Sequence, residues 1–271
     1  MKIFRNRINL MNEIFRLKNI AFVPTMGALH KGHISLINKA KKKSNNVLVS
    51  IYVNPKQFKS IKDYKKYPRK LKKDIDTLKR IKIKYLYLPT SKDIYSFKTK
   101  NKIYLENFSK ILCGKFRPFH FRGVINVVNR FLEIIKPKFL YLGLKDFQQL
   151  SLIKSHIIKN KINVNLIPCS TIREKNGAAL SSRNSNLSEK QFKKAGKIYK
   201  YIKNNKKLIL YKILNGKQSE IIQKLLEIGA TKIDYIECVN LIKKKICKNN
   251  KSKFNIFIAY YINAIRLIDN L

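Results

Sequence analysis

The residues best suited to chemistry in this chain are two of its four histidines, His30 and His33, in the segment PTMGALHKGH. An apolar run, Ile20–Val23, precedes the segment, and a helix-like pattern, Ile34–Lys43, follows it. Strand, glycine-containing turn and helix is the order in which free backbone N–H groups at a helix N-terminus bind phosphate. Gly32, between the histidines, has no Cβ to keep a ligand away from the backbone. The pattern therefore predicts a nucleotide triphosphate site, with histidines over the phosphates as hydrogen-bond donors or as cations.

By itself, His-x-Gly-His is a weak pattern, because two histidines three residues apart more often form a capping or partly exposed pair than a catalytic one. The surrounding residues favour the functional interpretation. Pro24 is expected to end the strand, and Gly27 suits the positive φ of a sharp strand-to-helix turn. Apolar residues at helical spacing then supply one buried helix face: Ile34, Leu36, Ile37 and Ala40.

The elements that must position these histidines alternate between apolar runs and helical patterns, which is typical of a Rossmann-like, doubly wound parallel sheet. The predicted strands are Ile20–Val23, Val47–Val53, Tyr85–Leu88, Phe139–Leu142 and Val164–Pro168. The predicted helices lie near Ile34–Lys43, Tyr67–Ile81, Val124–Ile135 and Phe147–Lys159. Ligands bind beyond the carboxyl ends of such strands. We therefore expect the histidine turn and the loops Asn54–Gln57 and Gly143–Asp146 to meet at one edge.

After Pro168 the chain becomes small and polar, and the pattern changes. We place a domain boundary here, with residues 1–172 as the α/β nucleotide-binding domain and residues 173–271 as a smaller C-terminal α+β lid domain. Ser188 and Gln191 have the spacing of a capping box that opens a helix. The predicted elements of the second domain are helices at Phe192–Asn204 and Ser219–Ile228 and strands at Asp234–Val239 and Phe254–Tyr261.

The charge of the chain is extreme, with 60 Lys and Arg against 15 Asp and Glu and a net charge of +45. Such a charge often indicates nucleic acid or an anionic surface as a partner. Here the basic residues are spread over the whole length, and no RNA-binding signature accompanies them. Lysine, asparagine, isoleucine, tyrosine and phenylalanine are abundant, and all have A+T-rich codons. We therefore attribute the charge to genome base composition and expect no specific nucleic-acid partner.

The cysteines and the hydropathy of the chain indicate its cellular compartment. The four cysteines lie far apart without a CxxC pair, so we expect reduced, mostly buried thiols and neither a zinc site nor a disulfide framework. Apolar runs stay well short of the roughly 20 residues that cross a bilayer. The first residues lack the apolar core of a signal peptide. These observations predict a cytoplasmic protein without a membrane partner.

Several ordered blocks of the chain resemble the pantothenate synthetase family, ATP-dependent amide-forming ligases of the HxGH nucleotidyl-transferase superfamily. The blocks are PTMGALHKGH, VSIYVNPKQF, YPR, RPFHFRGV, KDFQQL, RE, LSSRN and RLIDN, and they run almost from end to end. The resemblance implies a Rossmann-type fold and a reaction that joins pantoate to β-alanine through a pantoyl adenylate, in the biosynthesis of coenzyme A. It also implies ATP as a substrate accompanied by Mg²⁺, the release of AMP and pyrophosphate, and a homodimer.

The resemblance carries the family's ATP-binding positions onto this sequence. They are Met26, Gly27, Ala28, Leu29, His30, Lys31, Gly32, His33, Gly143, Leu144, Lys145, Asp146, Ile172, Leu180, Ser181, Ser182 and Arg183. His33 is implied as the main catalytic residue, assisted by His30 and Lys145. Asp146 would accept from a ribose hydroxyl, and Leu180–Arg183 would be a mobile phosphate-binding loop.

Two glutamines are implied to bind pantoate, Gln57 and Gln149, and Gln57 also matches a position near β-alanine. Neutral amides suit a hydroxy acid, because they can donate to its oxygens without trapping the carboxylate as an ion pair. Gln148 is expected to point elsewhere, since adjacent helical residues do not share a face. No protein ligand for a metal is expected, because Mg²⁺ would be held mainly by phosphates and water.

Some residues of the matched blocks depart from the family pattern or leave alternatives open. Leu144 replaces the usual glutamate, and Phe119 replaces a usual glycine, which removes backbone freedom. For Arg117, His120 and Arg122, a structural or dimer role is as compatible with the pattern as a catalytic one.

Two other functions fit part of the sequence. A nucleotidyl transferase of the same superfamily would hold a phosphorylated acceptor, which the paired glutamines and the NPKQF loop argue against. A basic RNA-binding protein derived from a decayed enzyme would be expected to lose residues such as His33 and Lys145 first, and this chain retains them.

Overall fold

A computed structural model describes residues 1–248 and 253–271. The chain forms two compact units, the first comprising Met1–Ser109 with Arg117–Ser170 and the second Lys110–Phe116 with Thr171–Leu271. This division lies beside the boundary predicted near residue 172. The assignment of the short segment Lys110–Phe116 to the second unit has no signal in the hydrophobic pattern. The role of the second unit as a lid stays a prediction.

The first unit is built on a six-stranded sheet with the order β1-β4-β3-β2-β5-β6. Its strands are β1 (Lys2–Phe4), β2 (Ala21–Thr25), β3 (Val47–Ile51), β4 (Tyr85–Tyr87), β5 (Phe139–Gly143) and β6 (Asn165–Cys169). All neighbours are parallel, which confirms the predicted sheet. The strand order reverses between β2 and β5, and a doubly wound sheet opens its ligand crevice at such a switch point.

Helices cover both faces of this sheet, so its central strands β2 and β3 are buried over almost their whole length. In chain order, the helices of both units are α1 (Arg7–Ile14), α2 (Lys31–Lys43), α3 (Ile61–Lys66), α4 (Leu71–Arg80), α5 (Ser91–Tyr95), α6 (Cys113–Phe116), α7 (His120–Ile135), α8 (Phe147–Lys159), α9 (Glu189–Asn204), α10 (Lys206–Leu214) and α11 (Gln218–Ile228). On one face, Ala21 and Val23 of β2 belong to the same buried cluster as Ile37 of α2. On the other, Phe22 packs against Phe131 of α7 with ring centroids 5.4 Å apart.

Several predicted boundaries differ from the structure by a few residues; helix α7, for example, begins at His120 and not at Val124. Three further differences are informative. Strand β2 does not end at Pro24, because β5 pairs only with Ala21 and Phe22, so the missing proline N–H interrupts no bond on that side. Helix α2 begins at Lys31 instead of Ile34, with His30 as its N-cap. Helix α4 begins only at Leu71, because the proline after Tyr67 keeps that residue extended, at ψ 130°.

The second unit carries a four-stranded antiparallel sheet with the order β10-β9-β7-β8. Its strands are β7 (Lys232–Asn240), β8 (Lys245–Ile246), β9 (Phe254–Ile262) and β10 (Ile265–Asn270). The predicted capping box at the start of α9 is confirmed. The Gln191 N–H donates to Ser188 Oγ at 3.3 Å, and the Ser188 N–H donates to Gln191 Oε1 at 2.8 Å.

Two findings concern the cysteines and the hydropathy of the helices. All four cysteines, Cys113, Cys169, Cys238 and Cys247, are free and buried, as predicted. In the part of the chain that the structure describes, no helix has the length and apolar character needed to cross a membrane.

Candidate active site

His30 and His33 cap the helix that they open. His30 Nδ1 accepts the Gly32 N–H at 3.1 Å, and His33 Nδ1 accepts the His30 N–H at 3.3 Å. The two rings lie 4.0 Å apart between centroids. A backbone N–H can only donate, so each Nδ1 is unprotonated and the proton of each neutral ring is on Nε2. The cap therefore leaves both histidines with an Nε2–H donor that is not used by the helix.

Both histidines are neutral near pH 7. Burial lowers the pKa of His33 to about 3, with further lowering by His30 and by the positive charge of Lys145. Burial likewise lowers the pKa of His30 to about 4, where Lys145 lowers it further and Asp146 acts in the opposite direction. Of the two forms that the sequence left open, the structure therefore favours the neutral hydrogen-bond donor.

The loop that precedes the histidines is held from two sides. Gly27 has φ +76°, as predicted for a sharp turn, and Ala28 also has a positive φ, +49°. Thr25 Oγ1 accepts the Gly27 N–H at 3.2 Å. Asp74 of α4 accepts the Ala28 and Leu29 N–H groups, each at 2.8 Å. Sequence reasoning missed Asp74, although it is the one acidic residue in the first turn of a lysine-rich helix.

Lys145 and Asp146 follow β5, the parallel neighbour of the strand that leads to the histidines. They lie in a 3₁₀ turn, Leu144–Asp146, and Lys145 Nζ is 3.4 Å from Asp146 Oδ1. The positive charge of Lys145 lowers the pKa of both His30 and His33. The structure thus brings two of the three predicted segments together at the carboxyl edge of the sheet.

Gln57, in the third segment, ends a 3₁₀ turn that begins at Pro55, and it is buried. Its Nε2 donates to Met26 Sδ at 2.7 Å, which joins this loop to the segment that carries the histidines. The backbone carbonyl oxygen of Gln57 accepts hydrogen bonds from His120 Nδ1 at 2.7 Å and from Arg117 Nη2 at 3.3 Å. Arg117 Nη1 lies 3.0 Å from His120 Nε2. Because a carbonyl can only accept, His120 carries its proton on Nδ1, and these contacts give the pair a structural role.

Helix α7 also holds the same loop through Asn54 and Gly123. Asn54 is 1% exposed, and its Nδ2 donates to the Gly123 carbonyl at 3.1 Å and to Gln57 Oε1 at 3.4 Å. A Cβ on Gly123 would lie 2.2 Å from the carbonyl oxygen of Lys56. The loop therefore rests directly on the helix backbone. Sequence reasoning gave Asn54 and Gly123 no such role, since contacts across this distance along the chain leave no local pattern.

The two glutamines of α8 differ in their surroundings. Gln148 is buried, and its Nε2 donates to the Phe108 carbonyl at 2.6 Å. That it points away from the substrate stays a prediction. Gln149 is half-buried on the neighbouring face of the helix. Its role as a substrate ligand stays a prediction.

The remaining predicted residues lie together in the second unit. The Leu180 N–H donates to the Ile172 carbonyl at 3.0 Å, and Arg173 and Ala179 form the adjacent bridge. Ser181 then caps a 3₁₀ turn, Ser182–Asn186, that includes Arg183. Arg173 fixes this hairpin to β10 through a bidentate ion pair with Asp269 at 2.6 and 2.8 Å.

Phe119 adopts the left-handed conformation, with φ +64°, immediately before α7. Its side chain is 82% exposed, so packing does not compensate the backbone strain. Glycine would take this φ without cost, which is a physical reason for the glycine that the resemblance to the family implies at this position.

Comparison with known proteins gives one consistent result. The family model described as pantoate-beta-alanine ligase matches residues 2–271. A pantothenate synthetase of Flavobacterium psychrophilum is 39% identical over 94% of this chain and 92% of its own length. One of Endomicrobium trichonymphae is 40% identical, covering 100% and 97%. Among solved structures, a pantoate-beta-alanine ligase of Francisella tularensis, complexed with beta-gamma ATP and beta-alanine, has a TM-score of 0.83 at 41% identity, covering 100% and 97%. One of Thermus thermophilus has a TM-score of 0.90 at 29% identity, covering 100% and 99%.

Proposed function

The chain belongs to the pantoate–β-alanine ligase family, and we propose that it makes pantothenate through a pantoyl-adenylate intermediate, with ATP as the activating substrate. The observation that carries this proposal is the pair of neutral Nε2–H donors of His30 and His33 beside Lys145, at the switch point of the sheet. The relative from Francisella tularensis, solved with an ATP ligand and beta-alanine, supports the same two substrates.

The proposed reaction needs no nucleophilic side chain. A carboxylate oxygen of pantoate attacks the α-phosphorus of ATP, the bond from that phosphorus to the bridging oxygen breaks, and pyrophosphate leaves. The amine of β-alanine then attacks the acyl carbon, loses a proton, and displaces AMP. Charge gathers on phosphate oxygens during the first step, so fixed donors and cations are the groups that lower its barrier. We assign this role to His33 first, and to His30 and Lys145 beside it.

Gln57 is suited to hold pantoate because a hydrogen bond within the protein fixes the orientation of its side-chain amide. Asn54 Nδ2 donates to Gln57 Oε1, which leaves the N–H₂ end of the amide directed at Met26 Sδ. A thioether is a weak acceptor, so pantoate oxygens can replace it at little cost. We propose Gln149 as the second pantoate ligand and Gln57 as a contact of β-alanine.

We propose that Mg²⁺ enters with ATP and is held by its phosphates and by water. In the described parts of the chain, residues 1–248 and 253–271, no three His, Cys, Asp or Glu side chains are grouped to hold a metal ion. The best-buried carboxylate near the loop, Asp74, has both oxygens bound to amides. A homodimer and a cytoplasmic location are further proposals that rest on the resemblance to the family.

The experiment that tests the function is pantoate-dependent exchange of labelled pyrophosphate into ATP, without β-alanine. Two variants separate catalysis from helix capping at His33. In His33→Asn, the side-chain oxygen can replace Nδ1 as the acceptor for the His30 N–H, but no donor remains at the Nε2 position. In His33→Gln, a donor remains near that position and the cap is lost.

We expect exchange in the wild type to require pantoate, and we expect His33→Asn to lose more of it than His33→Gln does. The loss should be at least about 100-fold, as for removal of one donor to a developing oxyanion. Greater activity in His33→Asn than in His33→Gln would mean that the histidine is needed only as a cap. A folded wild type without any exchange would refute the function and favour the interpretation as a decayed enzyme.

A further inference from the structure

Asp74 is bound to the turn that we call the nucleotide loop, Gly27–Leu29, although 45 residues separate it from Leu29 along the chain. One carboxylate oxygen accepts the Ala28 N–H and the other accepts the Leu29 N–H, each at 2.8 Å. The residue is 2% exposed. Hydrogen bonds to an ionised acceptor are stronger than neutral ones, and two on consecutive amides also fix direction. The carboxylate is therefore fitted to one conformation of this loop.

That conformation is one that the loop does not favour by itself. Gly27 and Ala28 have consecutive positive φ values, +76° and +49°. Alanine takes such a φ only when its surroundings hold it there. A Cβ on Gly27 would lie 3.0 Å from Asp74 Oδ2, so the carboxylate is also packed closely against the turn. Asp74 thus holds the turn through one hydrogen bond each to Ala28 and Leu29 and through a close contact at Gly27.

The direction of the loop matters because Leu29 is followed at once by His30, the N-cap of α2. A change in the loop moves the start of the helix, and with it the Nε2–H donors of His30 and His33. We propose that Asp74 is a positioning residue of the nucleotide site, which acts through the nucleotide loop and touches no substrate. The inference rests on the proposed function for the identity of the nucleotide, ATP.

The test compares Asp74→Ala and Asp74→Asn with Asp76→Ala. Asp76 lies on the same helix and is exposed, so its replacement removes the same charge without altering the loop. Three quantities are measured: amide hydrogen exchange at Ala28 and Leu29, affinity for the Mg²⁺ complex of α,β-methylene-ATP by calorimetry, and KM for ATP and for pantoate.

We expect Asp74→Ala to speed exchange at these two amides and to weaken nucleotide binding, each by about tenfold or more, while the KM for pantoate changes less than about twofold. Asp74→Asn should be intermediate in nucleotide affinity, because its one carbonyl oxygen can accept only one amide while its N–H₂ faces the other. Asp76→Ala should match the wild type in all three measurements.

Unchanged nucleotide affinity in folded Asp74→Ala would overturn the inference, and Asp74→Asn decides in the same way if the alanine variant does not fold. Equal increases in the KM for ATP and for pantoate would also overturn it, because they would indicate general loosening. Missing pyrophosphate exchange in the wild type would instead refute the proposed function. The amide exchange and the nucleotide affinity do not need turnover, so they would still judge Asp74.

Discussion

Replacing Gly123 with alanine tests whether α7 positions Gln57, the glutamine that we propose for pantoate. The new Cβ would lie 2.2 Å from the Lys56 carbonyl oxygen, 2.6 Å from its carbon and 2.9 Å from the Gln57 nitrogen. To reach even 3.0 Å from that oxygen, the loop must move by roughly 0.8 Å, since both partners are backbone and neither can rotate away. The displacement acts directly on Gln57, whose carbonyl is held by His120 from the same helix.

The size of the effect follows from this displacement. Misplacing a binding group by about 1 Å can cost about 100-fold in rate, so kcat/KM for pantoate should fall by about that factor. The KM for ATP should change by less than about threefold, because the histidine loop is held by other residues. Overpacking should also cost about 1–3 kcal/mol in the free energy of unfolding. Steady-state kinetics with each substrate varied, together with urea unfolding, measures both effects.

Gly229→Ala is the control for lost stability alone. Gly229 has φ +124° at the end of α11, so alanine is strained there, and its Cβ would meet the flexible side chain of Lys194. This variant should lose stability while its KM for pantoate stays at the wild-type value. If folded Gly123→Ala keeps the wild-type kcat/KM for pantoate, then the contact with α7 does not position Gln57 and the reasoning is refuted.

Three further predictions concern backbone strain, buried histidines and the second unit. Phe119→Gly should raise the free energy of unfolding by about 1 kcal/mol, because glycine takes φ +64° without strain, whereas Phe119→Ala should give no such gain in the same urea titration. The free energy of unfolding should fall as the pH falls from about 6.5 towards 4. Burial lowers the pKa of His30, His33 and His156 to about 4, 3 and 4, so between these pH values the unfolded chain binds more protons than the folded chain does. The buried His156 should account for about 3 kcal/mol of this loss, and His156→Leu should reduce the pH dependence of unfolding by that amount while the contributions of His30 and His33 remain. Asp269→Asn breaks the ion pair to Arg173, so it should lower the free energy of unfolding by about 3 kcal/mol and raise the KM for ATP. A decrease in the free energy of unfolding of less than about 1 kcal/mol, the value expected for an exposed pair such as Lys224 with Glu227, would contradict a buried anchor.

The extent to which the sequence predicts this fold depends on how local each signal is. Helix Phe147–Lys159 is predicted to the residue, because its apolar period is read within a few turns. Strand β1 has no signal, since three exposed or half-exposed residues at a sheet edge carry no apolar run. Helix α10 is missed because its sequence, KKLILYKIL, is a short and mostly apolar run without a helical period.

The site shows the same division between local and distant signals. The HxGH residues and Gln57 are visible in the sequence because each stands in a short motif at a strand end. The groups that hold them are not visible. The Asp74 side chain accepts backbone N–H groups of the nucleotide loop, and Gly123 lies against the backbone of the loop of Gln57. In both cases the two partners are dozens of residues apart along the chain. Such partners depend on how helices pack on the sheet, which no window of residues encodes.

Helix capping and phosphate binding, the two interpretations of His-x-Gly-His, are compatible with the same geometry. Capping uses Nδ1 of His30 and of His33, and by doing so it fixes the proton of each neutral ring on Nε2. Burial keeps both rings neutral, so a donor stands ready at pH 7 without the repulsion that two adjacent imidazolium ions would create. The positive charge beside the two neutral rings comes from Lys145, because an ammonium group has no tautomers and stays a cation. Under the proposed function, the same helix cap therefore leaves two Nε2–H hydrogen-bond donors for the phosphates of ATP.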